Sequence, residues 1–111
     1  MFGPNTYVGD YVLIAGGDAD IRIGRDVAIG PRSTLVTGSH ELYTEEGIAA
    51  GKGYSHPINI EDGVWLGAGS MVLGGITIGQ SSIVAAGAVV VSEIPSSSIV
   101  GGIPARPLGR N

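Results

Sequence analysis

At 111 residues the chain has the length of one domain, taken over 1–111, and 20 glycines beside a single Phe and a single Trp leave Val, Ile, Leu and Ala to fill its core. The absence of cysteine excludes disulfides, thiolate nucleophiles and thiolate metal sites together. A net charge of −4, with charges spread singly, argues against a nucleic-acid or anionic-membrane surface, and no apolar run nears the roughly 18 residues of a membrane span.

In chain order, the start Met1-Phe2-Gly3-Pro4-Asn5 has neither the charged n-region nor the apolar h-region of a signal peptide, so a cytoplasmic protein is expected. No cap is visible before Val8. Between Gly16 and Ile21 the spacing of aliphatic residues loses phase, because Ile14 to Ile23 is not a multiple of six, and this stretch reads as a turn variant. Ile23, Ile29 and Leu35 then follow at intervals of six. His40 ends that run, and residues 41–57 are long, polar and Gly-containing, which predicts an external loop thrown from one corner.

From Ile60 the interval of six returns without a miss, through Leu66, Val72, Ile78, Val84 and Val90. Four residues after each stands Val64, Ser70, Ile76, Ser82, Ala88 and Ile94, all small or aliphatic. Neither a helix nor a simple alternating strand has this period. It describes short β segments joined by tight turns, each segment sending one aliphatic side chain inward, so that three hexads close a triangular coil. Stacking the coils sets Ile60 over Ile78, Leu66 over Val84 and Val72 over Val90, an all-β architecture in which each coil needs its neighbours to bury its core. Residues 95–111, rich in Gly and Pro, are expected to leave the register and cap the stack.

These residues resemble the hexapeptide-repeat acetyltransferases, and most closely their maltose, galactoside and nodulation O-acetyltransferase branch. The likeness runs from Ile23-Gly24 through Ser39-His40, the loop, Gly63-Val64-Trp65-Leu66-Gly67, Ile76-Thr77-Ile78-Gly79, Val84-Ala85-Ala86-Gly87-Ala88-Val89-Val90 and Gly102-Ile103-Pro104-Ala105-Arg106. The resemblance implies a left-handed parallel β-helix, a homotrimer, acetyl-CoA held between neighbouring subunits, and transfer of the acetyl group to a hydroxyl of a sugar or other small acceptor. Histidine in the place of His40 is that family's general base, and residues matching its CoA contacts are Ala68, Ala86, Val91, Ser92 and Arg106, with Trp65 close to the reaction centre. Where relatives commonly carry Thr-Lys after the Gly-Ala-Val-Val run, this chain has Val91-Ser92.

The residue types suit these roles. Attack of a hydroxyl on a thioester needs its proton removed as the bond forms, and histidine is the side chain that ordinarily titrates near neutral pH. Arg106 and Arg110 crowd into the last six positions, where their guanidinium groups would pair with CoA phosphates. Trp65 is an outward indole in an aromatic-poor chain and needs a ligand or a neighbouring subunit to cover it. Two other functions fit the repeat: a non-catalytic or truncated β-helix trimer, and a zinc enzyme of the γ-carbonic anhydrase type. The latter needs three histidines, whereas the chain has only His40 and His56, and no metal site is expected.

Overall fold

The computed structural model describes residues 2–42 and 45–110, and of Arg110 the backbone only. Tyr43 and Thr44, part of the expected loop, lie outside the described residues. The strands run β1 (Tyr7–Val8), β2 (Leu13–Ala15), β3 (Ile21–Ile23), β4 (Ala28–Ile29), β5 (Thr34–Val36), β6 (Gly38–Leu42), β7 (Ala50–Ser55), β8 (Ile58–Ile60), β9 (Trp65–Leu66), β10 (Met71–Leu73), β11 (Thr77–Ile78), β12 (Ile83–Val84), β13 (Val89–Val90), β14 (Ser98–Gly101) and β15 (Arg106–Arg110). All but β6 and β7 form the three faces of a left-handed parallel β-helix: β1-β4-β9-β12-β14-β15, β2-β5-β10-β13 and β3-β8-β11.

Each inward column is a ladder of aliphatic side chains in parallel register. Ile60 pairs with Ile78, Leu66 with Val84 and Val72 with Val90, as the hexad spacing predicts. Leu66, Val72, Ile78, Val84 and Val90 are buried, and so are Ser70, Ser82 and Ala88, the small residues four positions after Leu66, Ile78 and Val84. The buried hydroxyls keep partners: Ser33 donates to the Gly67 carbonyl and pairs with Ser70 Oγ, while Ser82 donates to the Pro95 carbonyl. The coils approach so closely that a Cβ on Gly67 would sit 2.6 Å from the Ala86 nitrogen. Glycine at that position is a demand of the fold before it is a demand of any ligand.

Two expectations are corrected in detail. The long excursion is not structureless: β6 and β7 pair antiparallel as a hairpin standing out from the coil, because an exposed segment of this length satisfies its backbone groups best by pairing with itself. The C-terminal segment also holds the stack longer than its Gly and Pro suggest. Ile94 bridges Ile78, and Val100 pairs with Val84 in a coil two residues short of eighteen. Only then does β15 turn back antiparallel onto β14 and cover that end. At the opposite end, among the described residues, inward-register Val8 is 41% exposed.

The outward columns divide sharply by face. On the first face stand Tyr7, Ala28, Trp65, Ile83 and Ile99, and on the second Leu13, Thr34, Met71 and Val89. The third face presents Arg22, Asn59 and Thr77. Two faces are therefore mainly apolar and one is polar.

Candidate functional site

The site grows from the corner at which β5 would ordinarily turn into β8. Leu35 anchors β5 in the core, Thr37 is buried at its end, and at Gly38 the chain leaves the coil as β6. It returns at His56, whose N–H donates to the Thr37 carbonyl at 3.1 Å and closes the excursion. Within the hairpin His40 faces Gly53 and Leu42 faces Ala50, so Glu41 stands opposite two residues, Gly51 and Lys52. This bulge frees the Gly51 carbonyl from regular pairing, and it meets His40 Nδ1 at 2.8 Å.

A carbonyl oxygen only accepts, so the neutral imidazole carries its proton on Nδ1 and leaves the Nε2 lone pair available. The backbone thereby selects the tautomer suited to taking a proton. A cavity of about 500 Å³ opens beside the ring, lined by Asp18, Thr37, Ser39, His40, Tyr54 and Ser55 among others. Asp18 and Tyr54 were not singled out in the sequence. Asp18 lies in the Gly16–Ile21 phase break; parallel pairing of Ile14 with Leu35 and Ala15 with Val36 brings that turn against the hairpin root. A carboxylate in a register break one coil before the outgoing histidine was the available signal. His56 does not line this cavity; its ring packs edge-on against Tyr54 with centroids 5.2 Å apart.

The expected CoA contacts fall into two groups. Ala68 and Ala86 stack at the corner between the first and second faces, where the Gly87 N–H donates to the Ala68 carbonyl at 2.9 Å. Their methyl groups are exposed, and Gly69 and Gly87 beside them have left-handed backbones with open space where a Cβ would be. In the preceding coils the same left-handed position is held by Tyr11 and Arg32, whose guanidinium lies 5.1 Å from the Tyr11 ring centroid. The corner is thus a smooth trough below Arg32.

Val91 and Ser92 lie one strand further along, at the next corner, and Ser92 and Arg106 share a cavity of about 320 Å³ with Glu93 and Pro107. Trp65 stands on the first face, 54% exposed, between Ala28 and Ile83. None of Trp65, Ala68, Ala86, Val91, Ser92 or Arg106 lines the His40 cavity. Arg110 is described by its backbone alone, paired with Ser98. Among the described residues no group of three or more His, Cys, Asp or Glu converges in a way that would hold a metal ion.

Comparison with known proteins follows the same lines. The family described as bacterial transferase hexapeptide (six repeats) matches residues 57–92. A putative acetyltransferase of Schizosaccharomyces pombe is 43% identical over 90 residues, covering 81% of this chain and 43% of that protein. The galactoside O-acetyltransferase of Lactococcus lactis is 36% identical over 103 residues, 93% of this chain and 49% of that protein. Among solved structures, a hexapeptide-repeat acetyltransferase of Vibrio cholerae complexed with acetyl-coenzyme A superposes with a TM-score of 0.91 at 39% identity, covering 98% of this chain and 58% of that one. The chain spans about half the length of the curated relatives it matches.

Proposed function

This hexapeptide-repeat β-helix is a relative of the galactoside O-acetyltransferases, and from that premise we propose that it transfers an acetyl group from acetyl-CoA to a hydroxyl of a sugar or other small acceptor, with His40 as general base. The observation that carries the proposal is the His40 Nδ1 to Gly51 carbonyl hydrogen bond, which leaves Nε2 to accept a proton beside an open cavity. As the acceptor oxygen attacks the thioester carbonyl, Nε2 takes the hydroxyl proton. The C–S bond then breaks, the acetyl ester is formed, and the imidazolium returns the proton to the CoA sulfur. The Asp18 carboxylate, as an acceptor, and the Ser39 and Ser55 hydroxyls offer hydrogen-bond partners to an acceptor's hydroxyl groups in the cavity. The test is direct: purified protein is mixed with acetyl-CoA and a panel of galactose, glucose, maltose and N-acetylglucosamine, and thiol release and acetylated sugar are measured. Failure to acetylate any of them while hydrolysing no acetyl-CoA would overturn the reading.

The working unit in this proposal is a homotrimer. Two adjacent apolar faces and one polar face suit closed threefold symmetry, in which each subunit gives one face to each neighbour and leaves the third to solvent. In this assembly one subunit's Ala68–Ala86 trough would be completed by another's hairpin, since within one chain neither Ala68 nor Ala86 lines the His40 cavity. Sedimentation is expected to give a trimer, weakened by Trp65→Glu. A stable monomer at micromolar concentration would overturn both the assembly and the shared site.

Acetyl-CoA is taken to lie along the Ala68–Ala86 trough with its phosphates toward Ser92 and Arg106, and Arg110 near them. Ser92 brings no cation to that end. Ser92→Lys is therefore expected to tighten CoA binding about tenfold or more, since a hydrogen bond to a charged group contributes about 1.5–3 kcal/mol. Calorimetry showing unchanged affinity would redirect the phosphate path away from Ser92.

A further inference from the structure

Thr37 is buried to 1% exposure, yet its side chain belongs to neither the core column nor the hairpin ladder. Its N–H donates to the Ala15 carbonyl at 3.1 Å. Its hydroxyl lies 2.5 Å from the Gly16 carbonyl and 3.2 Å from that of Ala15, and with one proton to donate it serves the nearer oxygen. The Gly16 carbonyl also accepts the Ala19 N–H at 3.0 Å, closing the turn that contains Gly17 and Asp18. Gly17 has a left-handed backbone (φ 51°), and a Cβ added there would meet Thr37 Oγ1 at 3.9 Å and Ser55 Oγ at 4.0 Å. On its other side, the Thr37 carbonyl accepts the His56 N–H where the hairpin rejoins the coil. One residue thus ties the Asp18 turn to the root of the His40 hairpin.

Resting on the acetyl-transfer reading above, we infer that Thr37 is a positioning residue of the acceptor cavity: its hydroxyl holds the Gly16–Ala19 turn, and so the Asp18 carboxylate, in place relative to His40. Thr37 has no proton to exchange with the reaction, since its hydroxyl is engaged with the backbone. Its effect falls on where the acceptor is held rather than on the base or the acyl donor. A methyl in place of the hydroxyl keeps the buried shape and leaves the Gly16 carbonyl its bond from Ala19, so the coil survives while the turn loses its tie to the hairpin.

The experiment compares wild type, Thr37→Val and Thr37→Ser on whichever of galactose, glucose, maltose or N-acetylglucosamine the wild type acetylates best. For Thr37→Val the acceptor KM is expected to rise about tenfold with the acetyl-CoA KM and the pH profile unchanged, and Thr37→Ser is expected to restore the wild-type value. In parallel, amide exchange at Ala19 should quicken at least tenfold in Thr37→Val while Ile60 and Val84 in the coils stay protected. An unchanged acceptor KM, an equal loss toward acetyl-CoA, no rescue by Ser, or unaltered exchange at Ala19 each overturns the inference. A wild type that acetylates none of these sugars and hydrolyses no acetyl-CoA overturns the acetyl-transfer reading and this inference with it. A wild type that acetylates them beside an unaffected Thr37→Val overturns this inference alone.

Discussion

His40→Ala is expected to lower acetyl transfer about 10²–10⁴-fold while leaving CoA affinity and assembly intact. The magnitude follows from the role: a general base acts only as the acceptor oxygen attacks, so removing it raises the barrier without touching ground-state binding. The side chain is exposed and adds nothing to the core, and the hairpin keeps its backbone pairing without the ring. His56→Ala should be nearly silent by comparison, because the contribution of His56 to the loop root is its backbone N–H, which alanine retains. Equal turnover of any panel sugar by wild type and His40→Ala would remove His40 as the base and direct attention to Glu41, Glu45 and His56.

The largest stability effect should come from Leu66→Ala, at about 2–5 kcal/mol in chemical denaturation. Leu66 is fully buried in the inward column Val8, Ile29, Leu66, Val84 and Val100, with a coil packed on each side. Its neighbours cannot collapse into the vacated space, because the coils are held at fixed spacing by parallel ladders and by glycine contacts such as that of Gly67 with Ala86. Val8→Ala provides the internal comparison. It removes a side chain from the same column, but at the open end, where 41% of the residue is already exposed, and should cost less than about 1 kcal/mol. A Leu66→Ala loss no larger than that of Val8→Ala would mean that the column does not carry the stability of the stack.

The contrast between these two residues also marks what was legible beforehand. The hexads announced the coil because a parallel β-helix repeats the same local demand every six residues: an inward aliphatic side chain, then a turn. The pairings of Ile60 with Ile78, Leu66 with Val84 and Val72 with Val90 follow from counting alone. The short last coil did not follow, since its two missing residues fall at the corner between Val90, still eighteen after its partner Val72, and Ile94, only sixteen after its partner Ile78. Counting by six does not report a corner that closes in fewer residues.

For the site, the sequence by itself determined the type of residue and its place in the repeat: His40 at the point where the period fails, small residues at Ala68 and Ala86, Trp65 outward, and Arg106 after the last hexads. Only the tertiary structure decided which nitrogen of His40 is available, because that depends on a carbonyl eleven residues away set free by a bulge in the returning strand. It alone brought Asp18 beside the histidine, through parallel pairing of β2 with β5, and it alone separated the Ala68–Ala86 trough from the His40 cavity by putting them on different corners. The physical reason is the same in each case. Hexad spacing records what every coil must satisfy to stack, and a site is made where residues far apart in the chain meet across coils, at positions the repeat leaves unconstrained.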